Sequence, residues 1–227
     1  SAGVDCSDHE VNIKIALGAA VAAGTLTLEQ RNEVLADMTD EVGELVLDDN
    51  RAQGLALAIA RRQALPMVNV HSRYLNTLES EGWLNRALEF LPTDRQIAER
   101  QSAGTGLTTP EFSVLLAYTK TANVAEMVRS DLPDDAYLEP DLVRYFPQRL
   151  QREFHDQILG HRLRREIVAT QVCNQLVNLS GISFDHRLSE ETGLGVVEIT
   201  RAWVAVRDIF GLVELWEQVD ALGGTVK

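Results

Sequence analysis

The sequence predicts an all-α protein, an irregular multi-helix bundle of about twelve helices. Three observations carry this. Apolar residues recur at helical spacing nearly everywhere, and strand-like alternation is almost absent. Thr, Asn and Pro stand where helices should start, and Gly where they should stop. No repeat of fixed period appears, so a solenoid is not expected.

The elements follow in chain order. Val11, Ile15, Ala19 and Ala22 form one apolar stripe of the first helix, and Ile13, Ala16 and Ala20 add a second, so the helix should be buried. Gly24 is its stop. Thr27 caps a helix containing Val34, Leu35 and Met38. Thr39 caps the segment 40–49, and Asn50 is a candidate cap for another helix ending before Pro66. Residues 67–81 form a helix ended by Gly82, and a short one is expected over 83–90. Thr93 caps 94–101. Ser102 to Gly106 reads as a flexible joint. Thr109-Pro110 restarts a helix, with proline in the first turn, and 122–130 is expected to form the next. Leu142, Phe146, Leu150, Phe154 and Ile158 recur every fourth residue. Pro147 within that stripe predicts two helices meeting there or a kink. A central helix spans 161–179, followed by helices over 184–191, 197–210 and 212–222.

A chain of 227 residues can bury a substantial core, and 45% hydrophobic with 24% charged residues is ordinary for a globular protein. Cys6 and Cys173 form no CxxC pair and fit a reducing compartment. The longest apolar stretch, 15–24, is about half of a membrane span. With no basic leader either, the expected setting is cytoplasmic, with no membrane partner. The net charge is −13, of which residues 1–60 hold a local −8. Residues 144–165 carry six arginines against Glu153 and Asp156, a local +4. An acidic chain repels nucleic acid, so this basic segment is read as a contact for an acidic part of the same assembly or as a solvated helix face.

Little catalytic chemistry is visible. His9, His71, His155, His161 and His186 show no metal-ligand spacing, and no metal site is expected. Gly104-Thr105-Gly106 lacks the lysine and preceding strand of a phosphate loop. Residues 187–201 imitate a helix-turn-helix around Gly193, but 196–203 offers one arginine and one glutamate, too few for base readout. Trp203 and Trp216 fall on apolar stripes and are expected in the core. The sharpest local signal is the opening, Ser1-Ala2-Gly3-Val4-Asp5-Cys6-Ser7-Asp8-His9-Glu10. Ser7 and Glu10 have the spacing of a capping box, which starts the helix after Ser7. Gly3 permits a tight loop before it, and unpaired N–H groups at such a start can receive a carboxylate or phosphate. On these residues alone Ser7 is a cap or an anion ligand. Such a loop would normally have a domain in front of it, so the chain is expected to be part of something larger.

That opening, continued by Val11-Asn12-Ile13-Lys14-Ile15, resembles the junction after the nucleotide-binding domain in the large NAD-specific glutamate dehydrogenases of bacteria. Leu47-Asp48-Asp49-Asn50, Thr109-Pro110-Glu111, Tyr145-Phe146-Pro147, residues 164–170 and Glu191-Thr192-Gly193 agree with it, and the resemblance covers essentially the whole chain. The opening is also similar, more distantly, to an Ala-Gly-Gly-Val…Ser…Glu segment of the smaller glutamate dehydrogenases, where the serine contacts the substrate's side-chain carboxylate. Gly3, Val4, Ser7 and Glu10 match that pattern, while Ala2 replaces its first glycine. The resemblance implies substrate-binding roles for Ser7 and Gly3. It implies no catalytic or cofactor-binding residue in this chain, with NAD and the catalytic lysine and aspartate placed elsewhere in the full-length enzyme. Residues 1–24 would be the returning edge of the catalytic region and 25–227 a C-terminal helical domain. The expected partners are the rest of the polypeptide, other subunits and L-glutamate or 2-oxoglutarate. The expectation from a different class is a stand-alone helical interaction module in which Ser7 is only a cap.

Overall fold

One inward face organises the first helix. α1 (Ala2–Ala22) buries His9, Asn12, Ile13, Ala16, Leu17 and Ala20, while Val11 is 52% exposed and Ala19 also faces out. The expected stripe through Val11 and Ala19 is therefore corrected. The inner face includes two polar residues that periodicity counts as outward. A second correction concerns the start: α1 is already helical from Ala2, so Ser7 lies inside it and is not its cap.

The computed structural model describes residues 2–222, so Ser1 of the opening motif lies outside them. Those residues form thirteen α-helices and two short 3-10 turns with no strand, in agreement with the all-α expectation. After α1 come α2 (Leu28–Asp37), α3 (Thr39–Arg62), α4 (Val68–Ser80), α5 (Asp94–Ser102) and α6 (Thr109–Arg129). The 3-10 turns Leu132–Asp134 and Ala136–Leu138 precede α7 (Glu139–Arg144), α8 (Gln148–Glu153) and α9 (His155–Leu159). α10 (Arg164–Ser180), α11 (Phe184–Thr192), α12 (Val196–Ile209) and α13 (Leu212–Ala221) complete the order. Two compact units result, Ser1–Leu55 with Met127–Gln171, and Ala56–Glu126 with Val172–Lys227.

Local chemistry sets many boundaries. Thr27 and Thr93 each accept from the backbone N–H of Gln30 and Gln96, whose side chains accept in return from the threonine N–H groups. Such reciprocal caps satisfy donors the helix itself cannot. Pro147 separates α7 from α8, and Glu41 accepts from Gln148 N–H at 2.7 Å, supplying the carboxylate that the α8 N-terminus favours. Gly193, with φ +74°, ends α11 in a left-handed cap.

Elsewhere the expected boundaries move. Asn50 caps nothing: its amide donates to the Val46 carbonyl at 2.7 Å, so 40–49 and the segment after it are one helix, α3. Likewise 109–119 and 122–130 are the single helix α6. Residues 83–90 are not helical. Asn85 accepts from the N–H groups of Ala87 and Leu88, and the buried Arg86 guanidinium reaches the Pro92 carbonyl at 3.3 Å and Asp94 at 2.8 Å. Side chains thus order this loop in place of a helical ladder. The segment 102–106 is no free joint either. A Cβ on Gly106 would lie 2.3 Å from the Ala64 carbonyl oxygen, and Leu107 beside it is buried. Three of the six arginines of 144–165 meet acids of their own unit, Arg144 with Asp141, Arg149 with Asp37 and Glu153, and Arg165 with Asp134, while Arg152, Arg162 and Arg164 are exposed. In the second unit Trp203 is buried and donates its indole N–H to Ser180 at 2.7 Å.

Gly106→Ala should destabilise the protein by about 1–3 kcal/mol because the added methyl meets backbone that cannot yield. A urea midpoint equal to wild type would contradict that packing. His9, His71, His161 and His186 are buried and held neutral, chiefly by burial, with His71 lowered to about 4. The folded state therefore takes up protons less readily than the unfolded chain. Stability should be full above pH 6.5 and fall below it, by roughly 2 kcal/mol at pH 5 from His71 alone. Urea titrations at pH 7.5 and 5.0 check this, with His71→Leu expected to shrink the difference by roughly 2 kcal/mol.

Candidate functional site

Ser7 and Gly3 lie one helical turn apart near the start of α1, and the structure brings them together. The Ser7 hydroxyl donates to the Gly3 carbonyl at 3.1 Å, and both residues are exposed. A hydroxyl inside a helix commonly bonds back in this way. Rotation about the Ser7 Cα–Cβ bond frees it to donate outward. Glu10 and Lys14 continue the same outward stripe and pair with each other one turn apart. Val4, 67% exposed, and Val11 flank it. The outer face of α1 therefore offers a hydroxyl and an ion pair set among uncovered apolar side chains.

The inner face fixes where that hydroxyl stands. Asn12 donates its side-chain amide to the Tyr145 oxygen at 2.9 Å, and the Tyr145 hydroxyl donates in turn to the Asp8 carboxylate at 3.0 Å. The Tyr145 ring stacks on His9 with centroids 4.3 Å apart and planes 12° from parallel. Burial first, and then the Asp8 charge, push the Tyr145 phenol far above its usual range, so it stays a donor. His161 adds a third tie. The Leu163 N–H donates to its Nδ1 at 3.1 Å, which places the ring proton on Nε2. Nε2 then donates to the Asn12 carbonyl at 3.1 Å. Burial holds this imidazole neutral, as that pattern requires. Aligned in one direction, Asn12 to Tyr145 to Asp8 forms a chain whose members polarise each other.

Residue spacing considers His9 and His161 only as metal ligands and gives Asn12 and Tyr145 no chemical role beyond the family resemblance. The signal available was a polar pair, His9 and Asn12, at i and i+3, which a single buried face can accommodate. Among the described residues no group of three or more His, Cys, Asp or Glu side chains is placed to hold a metal. Cys173 is buried and its thiol is pushed up to about 12, chiefly by burial, which leaves it inert. In the helix-turn-helix imitation, Ile199, Thr200, Trp203 and Arg207 of α12 are buried and unavailable to a groove. No helix among the described residues is long and apolar enough to cross a membrane.

Known proteins are similar to this chain over nearly all of its length. Residues 104–227 match the family described as glutamate dehydrogenase, C-terminal, and residues 1–60 match the catalytic domain of bacterial NAD-glutamate dehydrogenase. The chain belongs to the glutamate dehydrogenase C-terminal family. It is 49% identical over 220 residues to the NAD-specific glutamate dehydrogenase of Pseudomonas aeruginosa. The proteins of the same name from Halomonas elongata and Mycobacterium tuberculosis are 46% and 42% identical over 224 and 221 residues. These matches cover 97–99% of the chain and 14% of each relative's length. The catalytic-domain match over residues 1–60 spans the whole of α1.

Asn12→Ala should cost about 1–3 kcal/mol, because it removes the donor to Tyr145 and opens space on the inner face of α1. Wild-type stability by chemical unfolding would show that the hydrogen-bonded chain is dispensable.

Proposed function

We propose that the intact protein containing this chain is an NAD-dependent glutamate dehydrogenase. It would oxidise L-glutamate with NAD⁺ and water to 2-oxoglutarate, ammonium, NADH and a proton. The observation that carries this reading is the match of nearly the whole chain to three enzymes of that name, joined to the catalytic-domain match over residues 1–60.

The residues present do not fit NAD. A dinucleotide pyrophosphate is cradled where a strand passes through a glycine-rich turn into a helix. The described residues contain no strand. The cofactor and the hydride-transfer chemistry therefore belong to the rest of the polypeptide. Within this chain, Ser7 is the residue assigned to substrate: its hydroxyl, turned away from the Gly3 carbonyl, donates to the γ-carboxylate of glutamate. Gly3, which has no side chain and open space around it, lets that carboxylate approach.

In this reading residues 1–24 are the returning edge of the catalytic region and 25–227 a helical domain that holds it and contacts other subunits of a homo-oligomer. The uncovered Val4 and Val11 beside Ser7 support the first assignment, and the exposed Ile209 and Phe210 support the second. The enzyme would serve cytoplasmic amino-acid catabolism.

Ser7→Ala in the intact enzyme should raise KM for glutamate about 10–100-fold with kcat little changed, the loss expected for one hydrogen bond to a charged group. Steady-state kinetics over a glutamate series tests it. Unchanged KM would remove Ser7 from the substrate site.

A further inference from the structure

The second unit contains a cavity of about 80 Å³ where α10 ends and α11 begins. By the same measure a single water needs only about 10–15 Å³. The turn is made by Gly181, whose φ of +108° folds the chain so that Ser180 and Ser183 both line the space. Ser183 is the N-cap of α11, yet its hydroxyl makes no capping bond although the residue is 3% exposed. Ser180 accepts from the Trp203 indole, which leaves its own hydroxyl proton free to donate.

Two further groups point to a ligand. His71 lines the cavity and is 2% exposed, and its Nδ1 has no hydrogen-bond partner. Burial alone lowers it, so it stands neutral in the wall. Buried polar groups in folded proteins are normally satisfied, and an orphaned ring on a cavity is an exception that calls for a partner. Arg187, one turn into α11, is exposed and lines the same space with no ion pair among the described residues. No carboxylate lines the cavity, in a protein of net charge −13. The remaining lining includes Ile59, Met67 and Phe184, an apolar wall.

We propose that this cavity binds a small carboxylate with a short carbon chain. Arg187 and the serine hydroxyls take the carboxylate, as guanidinium and O–H donors do for planar oxyanions. Ile59, Met67 and Phe184 cover the carbon chain, and the His71 ring meets the ligand in the wall. The positive end of α11 adds to the attraction.

The test uses the intact protein with fluoroacetate as probe, observed by ¹⁹F NMR at constant ionic strength. Broadening of the fluoroacetate signal is expected, reversed by excess acetate and not by equal chloride. Arg187→Gln should weaken the binding at least tenfold. His71→Phe, which fills the space, should abolish broadening in a protein whose circular dichroism is unchanged. No broadening with wild type, equal broadening with Arg187→Gln, or displacement by phosphate but not by acetate would each overturn the proposal. Should His71→Phe fail to fold, Ser183→Ala takes its place, with weakened broadening expected and wild-type broadening counting against the site.

Discussion

The first unit depends on the cost of burying Asn12. An amide taken out of water without partners loses several hydrogen bonds and destabilises the fold that buries it. Here the Asn12 side chain gives its amide proton to Tyr145 and its carbonyl backbone receives His161. Both partners come from residues 127–171, so these two bonds tie together the two sequence-distant halves of the unit, although Oδ1 of the same amide has no hydrogen-bond partner. Apolar burial by Ile13, Leu17 and Ala20 supplies driving force. It does not choose among rotations of a helix that also carries Val11 and Ile15. The polar ties make that choice, because only one rotation puts Asn12 and His9 against Tyr145.

A consequence for function follows from that choice. Rotation is shared by all residues of a helix, so fixing Asn12 inward fixes Ser7, Glu10 and Lys14 outward. Under the proposed function, a substrate-binding hydroxyl is thus set by groups that never touch substrate. The second unit uses the same device with charge. Arg86 is buried and draws Asp94, Glu79 and the Pro92 carbonyl around it, holding the 81–93 loop without a helix.

What was legible in the sequence is what depends on neighbours along the chain. Thr27 and Thr93 declare their helices because cap and capped groups lie three residues apart. Pro147 breaks a helix wherever it stands. Asn50 misleads because its side chain can serve a turn start or bond back to Val46, and the surrounding α3 decides. Gly106 looked like slack because its constraint comes from Ala64, which no local pattern reveals. The rotation of α1 was misread for the same reason: its deciding partners lie 133 and 149 residues away. Ser7 was noticed through its resemblance to a binding segment, and its helical position through the structure alone. The cavity beside His71 left no trace in the sequence, since it is assembled from α3, α4, α11 and the turn at Gly181.

The most direct test of this account is amide hydrogen exchange in the intact protein, wild type against Tyr145→Phe. Loss of the phenol oxygen strands the Asn12 amide and frees Asp8. Protection across residues 9–20 of α1 should fall by at least tenfold while α12, in the other unit, is unchanged. Identical exchange in α1 would mean that apolar packing alone sets its rotation, and that the Asn12 network is a passenger.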